Sequence, residues 1–313
     1  YIRQLINYTS GSISFFDFYG KYTPFILFAG GTTGSITGTS EEFRILNETR
    51  TSSTSISART GLFGASGTSE GVFMGGDNSG ALDTTETYSY TTKTVSAKSG
   101  SGVSRLIGCS SQAYNYAYFF AGLTAFSTPT NLVQEYSFSG NFYSTVTNLG
   151  VSIIQTAASF YSSGYYFLIA GGAGSSGGTA VKTAYKYSLS TEKTTTATNL
   201  GSQRKSHAAC GSSSYGTFSG GISETDTVLS STDRYTYSSD VVGSGSTLVA
   251  AKYGLAATGN EAYGYFSGGF ASSSPLSSMD RYEHSSNSRQ ASTALGTAKY
   301  GHAGVCTAAV GVL

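Results

Sequence analysis

Histidine and cysteine are the residue types here best suited to metal binding or nucleophilic chemistry, and the chain has three of each. His207 and His302 occupy the same position in two related segments, and Leu255 occupies it in a third. A metal site needs several His, Cys or carboxylate ligands at close spacing, and His284 completes no such cluster in the sequence. Because leucine replaces histidine in a related segment, we expect His207 and His302 to serve packing rather than catalysis.

The cysteines also lie in related segments, at positions 109, 210 and 306. An odd number of widely spaced cysteines implies no disulfide framework. Free cysteine is among the most frequently buried residue types. We therefore predict that Cys109, Cys210 and Cys306 are buried as small apolar side chains.

Two short motifs imitate catalytic loops. The segment Gly174–Gly178 matches the Gly-x-Ser-x-Gly pattern of a nucleophile elbow, and Gly30–Gly34 resembles a phosphate-binding loop. Both motifs require a following helix, and neither is followed by a helical pattern, so we interpret both as turns. Asp233 and Asp280 recur in an Asp-Arg-Tyr sequence, which we interpret as a solvated pair at a strand end rather than a general acid and base. We assign no catalytic, cofactor-binding or metal-binding residue, expect no cofactor and predict that the chain is not an enzyme.

Composition excludes several other classes. Charged residues make up 11% of the 313 residues and the formal net charge is +1, whereas binding of nucleic acid or an anionic membrane needs clustered Lys and Arg. No apolar run approaches the roughly 20 residues of a membrane-spanning helix, so we predict no membrane insertion. The aromatic content of 13% argues against disorder.

The strongest signal is an internal repeat of 45 to 49 residues. Short apolar runs end in a glycine pair, here called the Gly pair, at residues 30–31, 75–76, 171–172, 220–221 and 268–269. A degenerate sixth copy reads Ala121-Gly122-Leu123, and the period is counted there from Leu123. Each is followed by a segment with aromatic residues two apart, such as Arg234-Tyr235-Thr236-Tyr237. Residues two apart point to one face of a strand, so these pairs predict packing between sheets.

Another segment precedes each Gly pair, such as Lys252-Tyr253-Gly254-Leu255-Ala256-Ala257, and a seventh copy is suggested at residues 12–18. With a Thr/Ser-rich stretch between units, each repeat holds four short strands, and no segment shows helical periodicity. Four strands in about 48 residues are typical of a propeller blade. We therefore predict an all-β propeller, a single domain over residues 1–313, with seven blades or alternatively six. A blade shared by strands from both termini closes the ring, with residues 1–9 as its outer strand and residues 299–313 as its inner strands.

At these residues the chain resembles the kelch family of β-propellers. The best matches are Arg204, His207, Gly220-Gly221 and Tyr235, and the pair Lys299 and His302. Kelch blades commonly carry a tryptophan, and this chain has none. In its Ser/Thr/Gly-rich, weakly charged character it looks more like kelch-type propellers of phage tail and virion proteins.

That resemblance implies a non-catalytic structural or binding module of a phage tail, fibre or extracellular appendage, located in the virion or outside the cell. Its expected partners are other structural subunits or a cell-surface receptor or glycan, with homo-oligomerisation inside a larger assembly. The loop residues Tyr114, Tyr116, Tyr161 and Tyr215 would either stack on sugar rings or pack within tight hairpins. Alternatives are a secreted carbohydrate-binding propeller, a copper enzyme like galactose oxidase, whose ligands we cannot align, and an intracellular kelch adaptor.

Overall fold

A computed structural model describes residues 24–124, 128–175 and 177–309. These residues form β-strands joined by turns and contain no α-helix. The strands are four to five residues long, apart from two ribbons of two-residue strands. Alternating apolar and polar residues, bounded by Ser- and Gly-rich turns, account for this pattern. The all-β prediction is confirmed.

The strands are grouped below by repeat. The first repeat holds β1 (Phe25–Ala29), β2 (Ser40–Arg44) and β3 (Thr49–Ser53). The second holds β4 (Phe63–Ser66), β5 (Glu70–Met74), β6 (Thr85–Ser89) and β7 (Val95–Lys98). The third holds β8 (Cys109–Ala113), β9 (Tyr116–Phe120), the ribbon β10 (Leu123–Thr124) and β11 (Thr128–Pro129), β12 (Val133–Ser137) and β13 (Phe142–Thr145). The fourth holds β14 (Ala157–Tyr161), β15 (Tyr166–Ala170), β16 (Ala184–Ser188) and β17 (Thr194–Ala197). The fifth holds β18 (Ala208–Gly211), β19 (Tyr215–Ser219), β20 (Thr232–Thr236) and β21 (Val241–Gly245). The last holds β22 (Ala256–Gly259), β23 (Tyr263–Ser267), the ribbon β24 (Phe270–Ala271) and β25 (Ser274–Pro275), β26 (Met279–Glu283) and β27 (Ser288–Ser292), followed by β28 (Ala303–Cys306).

The described strands form six four-stranded antiparallel sheets, one for each repeat, with β28 added to the three strands of the first repeat. The described residues therefore make a propeller of six blades, numbered here in chain order. Blade 1 is shared by the two ends of the described chain, because β28 pairs with β1 as its innermost strand. The predicted closure by strands from both termini is therefore confirmed, and six blades, the alternative, replaces seven. The count of seven treated the C-terminal strand and the first Gly pair as separate blades, although they belong to one sheet. The outermost strand of this blade is β3, not residues 1–9 as predicted. Residues 1–9, residues 310–313 and the suggested seventh copy at residues 12–18 lie outside the described residues.

The six innermost strands β28, β4, β8, β14, β18 and β22 pack against one another around the axis. They consist mainly of Ala, Gly, Ser and Cys, because neighbouring inner strands approach closely there. In an up-and-down blade, the connections between first and second and between third and fourth strands lie at one end of the ring. We call this end the hairpin face. The Gly pairs and the connections between second and third strands lie at the opposite end, the Gly-pair face.

Two rings of backbone hydrogen bonds join the blades on the Gly-pair face. In the first ring, the N–H of one residue per blade donates to the carbonyl of its equivalent in the preceding blade, over N···O distances of 2.7–2.9 Å. The six residues are Gly61, Ile107, Gln155, Ser206, Gly254 and Gly301. In the second ring, the N–H of each second Gly-pair residue donates to a carbonyl of the next blade, at 2.7–3.0 Å. The acceptors are Arg59, Arg105, Ile153, Arg204, Lys252 and Lys299. Both rings return to their starting blade, so the circle is closed by hydrogen bonds as well as by the shared sheet.

The first residue of each Gly pair lies against the same acceptor carbonyl. At Gly75 the backbone has φ +63°, and a Cβ atom would lie 2.3 Å from the carbonyl oxygen of Arg105. Glycine is favoured there both by its left-handed conformation and by this close approach. In blade 3 the same position is Ala121, with φ +57°.

We expect Gly75→Ala to lower the free energy of unfolding by more than about 2 kcal/mol, because it adds left-handed strain to a backbone clash. Urea denaturation at an unchanged m value measures this effect. The matched control is Ala121→Gly, which should change stability by less than about 1 kcal/mol. Equal effects of the two substitutions would contradict this account of the Gly pair.

The predicted aromatic stripe packs between adjacent blades. The central aromatic residue of the third strand is fully or almost fully buried in every blade: Phe43, Tyr88, Tyr136, Tyr187, Tyr235 and Tyr282. These rings join second-strand residues such as Phe167 and Leu168 in hydrophobic clusters that span neighbouring sheets. The stripe is therefore core, as the sequence predicted.

Candidate functional site

A belt of buried cations surrounds the axis, one in each blade except blade 4. The five side chains, each 0% exposed, are Arg59, Arg105, Arg204, Lys252 and Lys299. Each stands four residues before an innermost strand and donates to carbonyls at the end of the second strand or the start of the third. Arg204, for example, donates through Nη1 to Gly220 and Ser231 carbonyls at 2.7 and 3.0 Å. The basic residue that the sequence linked to kelch blades therefore ties three strands of its own blade together.

Four of these cations pair with a carboxylate on the third strand of the same blade. Arg204 Nη2 lies 2.8 Å from Asp233 Oδ2, and Lys252 Nζ lies 3.0 Å from Asp280 Oδ2. The other two pairs are Arg59 with Glu86 and Lys299 with Glu41. The prediction of a solvated strand-end pair at Asp233 and Asp280 is wrong, because these carboxylates are buried against the cations. In the third strand, the aspartate of the Asp-Arg-Tyr sequence faces the buried cation of its own blade. The sequence pattern alone does not indicate that orientation.

Blades 3 and 4 depart from the ion-pair pattern. In blade 3, Arg105 donates to the amide oxygen of Gln134 at 2.7 Å, and burial lowers the pKa of Arg105 to about 10. In blade 4, the two positions hold Ile153 and Tyr185, and Ile153 belongs to a hydrophobic cluster. The same two positions therefore hold an ion pair in four blades, an arginine with a glutamine amide in blade 3, and two uncharged side chains in blade 4.

The three histidines are buried, as their replacement by leucine in a related segment suggests for two of them. His207 and His302 each lie against the first glycine of the preceding blade's Gly pair, Gly171 and Gly268. Leu255 lies in the same way against Gly220. His302 Nε2 is 2.8 Å from the Ser267 hydroxyl, whereas neither ring nitrogen of His207 has a hydrogen-bond partner.

Burial lowers the pKa of each histidine. The pKa of His207 falls to about 3 through burial and the charge of Arg204. That of His284 falls to about 4 through burial and the charge of Arg234. The pKa of His302 lies well below its ordinary value because of burial and the charges of Lys299 and Lys252. All three are therefore neutral at pH 7, where they serve as packing groups.

The cysteine prediction is confirmed, since all three are free and buried. Burial raises the pKa of each thiol, to about 12 for Cys306 and further for Cys109 and Cys210. A thiol with a raised pKa is a poor nucleophile near neutral pH. Their positions on innermost strands explain the burial.

The axial channel is narrow. Its sections have volumes of about 120, 120 and 50 Å³ from the Gly-pair face to the hairpin face. Innermost-strand residues line the section at the hairpin face and most of the middle one. His207 and His302 line both the middle section and the one at the Gly-pair face, where Gln155 joins them. Each section is smaller than the roughly 300–1,000 Å³ usual for small organic ligands.

The two lookalike motifs lie in turns on the Gly-pair face, as predicted. Residues 174–178 lie between β15 and β16, with Ser176 outside the described residues. Residues 30–34 lie between β1 and β2, where Gly31 donates to the Arg59 carbonyl. Strands rather than helices follow both loops, so neither has the helix N-terminus that its chemistry requires.

The four loop tyrosines divide into two groups. Tyr161 stacks on Tyr237 with ring centroids 4.6 Å apart, and the Tyr215 ring lies 3.4 Å from the Arg234 guanidinium carbon. Tyr114 and Tyr116 remain 42% and 38% exposed on the hairpin face. The packing interpretation therefore holds for the first two, and the exposed rings of the other two remain candidates for ligand contact.

Sequence analysis missed the exposed aromatics Tyr165 and Phe142, which are 53% and 54% exposed. Tyr165 stacks with Tyr114 of the neighbouring blade, with centroids 6.0 Å apart and planes inclined by 28°. The sequence feature that could have indicated Tyr165 is an aromatic residue at the end of the turn Ser162-Ser163-Gly164-Tyr165. That residue stands where other blades have Ser69, Asn115, Ser214 or Ala262.

The described ranges contain no group of three or more His, Cys, Asp or Glu side chains that could hold a metal ion. Within the same ranges, no α-helix has the length and apolar character that a bilayer crossing requires.

Comparison of the sequence with known protein families and with curated proteins gives no match.

Proposed function

We propose that this β-propeller is a non-catalytic structural or binding module of the kelch type, belonging to a phage tail, fibre or related extracellular appendage. The sequence likeness to kelch-type propellers of phage tail and virion proteins suggests the setting by analogy. The observation that carries the proposal is the structural use of polar groups near the axis. The buried cations and carboxylates pair within their own blades, and His207 and His302 lie against the Gly pairs of neighbouring blades. A rigid closed ring of this kind presents its end loops as contact surfaces.

The hairpin face is the better contact surface of the two ends. Among the described residues, seven large apolar side chains are exposed, and six of them lie on this face. They are Leu46, Tyr114, Tyr116, Phe142, Tyr165 and Val241, whereas Val249 lies at the opposite end. Exposed apolar groups concentrated on one surface mark interaction sites. We therefore place the contact with a subunit or receptor on the hairpin face.

Antibodies against the purified propeller should label tails, fibres or appendages of native particles in electron micrographs. Prior adsorption of the antibodies with purified propeller is the control and should remove the label. Label confined to material that is free of particles would contradict the proposal. Copper retained in stoichiometric amount by the purified protein would instead favour the galactose-oxidase alternative.

A further inference from the structure

Three neighbouring hairpin tips of blades 3 and 4 form an uncharged aromatic surface, here called the tyrosine patch. The tips are residues 114–115, 138–141 and 162–165, and they contain only Tyr, Phe, Asn, Ser and Gly. The exposed rings of Tyr116 and Phe142 adjoin them at the starts of β9 and β13. Charged residues occur in the other hairpin tips, such as Glu48, Lys93, Asp240 and Glu261, and the second tip of blade 4, between β16 and β17, carries Glu192 and Lys193.

Several contacts make the patch continuous across the two blades. Tyr114 packs edge-on against Phe160 at 6.1 Å and stacks with Tyr165, both from blade 4. Tyr116 and Phe142 are both paired with Ser137, so they project from one side of blade 3. Tyr118 projects from that same side and contacts Phe167 of blade 4. The exposed rings therefore gather where blades 3 and 4 meet.

The backbone holds two of these rings at a cost to folding. Tyr114 has φ +55° in the two-residue turn between β8 and β9, and Tyr165 has φ +51° at the end of its loop. Glycine is the residue that tolerates such positions. Positive φ also occurs in other hairpin turns, at Glu48, Lys93 and Asp240 for example. What distinguishes Tyr114 and Tyr165 is that a large aromatic ring stays about half exposed at such a position.

We infer that the tyrosine patch binds a neutral saccharide. Tyrosine offers a flat apolar face with a polar edge, which matches the carbon–hydrogen face and hydroxyl rim of a sugar ring. Asn115 and the neighbouring serines supply amide and hydroxyl groups that both donate and accept hydrogen bonds. Tyr, Ser, Gly and Asn are also the residues that binding loops use for adaptable contact.

The charge distribution selects an uncharged ligand. The tips carry no group that would pair with a sulfate, phosphate or ammonium. Glu135 lies below the patch, but its carboxylate already accepts hydrogen bonds from the Tyr118 and Ser144 hydroxyls at 2.5 and 3.2 Å. This inference rests on the proposed binding function and adds to it the ligand class and the blades that hold the ligand.

The test uses the purified chain and an array of neutral oligosaccharides, followed by titration with the best-bound array member. Because the chain has no tryptophan, tyrosine fluorescence reports the titration directly. We expect Tyr114→Gly and Tyr165→Gly each to weaken binding by about tenfold or more. Neither should lower the melting temperature, since glycine relieves the left-handed strain. The matched control, Val249→Ser on the opposite face, removes an equally exposed apolar side chain and should leave affinity within about twofold.

Binding to no neutral oligosaccharide, or binding that both tyrosine variants retain, overturns the inference. Binding confined to charged polysaccharides and abolished by salt also overturns it, as does tyrosine-dependent capture of a protein instead of a sugar. Loss of folding in both glycine variants would show that the rings are structural. Particle labelling without saccharide binding would refute this inference and leave the proposed function standing. Saccharide binding without particle labelling would do the reverse.

Discussion

Asp280→Ala is expected to lower the free energy of unfolding by about 3–5 kcal/mol. Lys252 and Asp280 are both 0% exposed, so the substitution leaves an ammonium without its counter-ion in a water-free site. Lys252→Ile should also destabilise the fold, because the buried carboxylate then keeps only the Val249 N–H at 2.9 Å and Arg289 at 3.7 Å. The double variant Lys252→Ile/Asp280→Tyr copies Ile153 and Tyr185 of blade 4. We expect it to lie within about 1 kcal/mol of the wild type, since replacing a buried ion pair by packed apolar groups is often neutral.

Urea denaturation of the wild type, Lys252→Ile, Asp280→Tyr and the double variant forms a double-mutant cycle, for which we expect a coupling energy of about 3 kcal/mol or more. Lys186→Ala serves as the control, because it removes a more exposed pair with Asp240, at 3.1 Å, and should cost less than about 1 kcal/mol. Additive single effects would show that the buried charges do not act as a pair. A double variant as unstable as the singles would show that blade 6 cannot accept the blade 4 arrangement.

Lowering the pH should reduce the free energy of unfolding, because the histidines are buried in the neutral form and bind protons on unfolding. The pKa values of His207 and His284 lie at about 3 and 4 in the folded protein, and that of His302 is also strongly lowered by burial. In the unfolded chain histidine titrates near 6.5. Below that pH the unfolded state binds more protons than the folded state. The stability that the neutral histidines contribute is therefore complete above about pH 6.5 and is lost as the pH falls towards 4 and 3. Protonation of His207 and His284 should each cost about 3 kcal/mol between pH 6.5 and 4.5, and His302 adds to that loss. The total rivals a typical protein stability of about 5–15 kcal/mol.

Substitution by the residue of a sister blade tests this directly. His207→Leu, which copies Leu255 of blade 6, should reduce the pH slope of the unfolding free energy between pH 6 and 5 by about a third. It should also raise stability at pH 7 by about 1–2 kcal/mol, because His207 has two buried ring nitrogens without partners. Adding His302→Leu together with Ser267→Ala, which matches Ala170 of blade 4, should reduce the pH slope of the unfolding free energy further. Denaturation curves from pH 7 to 4.5 measure the slope, and an unchanged slope in these variants would refute the role of the histidines.

Local features of the repeat were predictable because they depend on neighbouring residues. The Gly pairs mark the ends of the second strands because left-handed backbone next to a close carbonyl requires glycine there. The alternation around Tyr88 or Tyr235 marks third strands because residues two apart share a face. The buried position of His207 and His302 followed from comparison with Leu255, since equivalent residues of a repeat occupy equivalent surroundings.

Features that depend on distant pairing were not predictable in the same way. The blade number turned on β28 pairing with β1, more than 270 residues away in the chain, and no local pattern distinguishes that pairing from a separate seventh blade. The buried role of Asp233 depends on which face of β20 meets Arg204. The tyrosine patch arises because the turn at Tyr114 and the turn at Tyr165 belong to different sheets that the ring brings together. Short-range sterics and strand periodicity thus establish the repeating unit from its amino acids, whereas charge burial, ring closure and contacts between blades come from the geometry of the assembled circle.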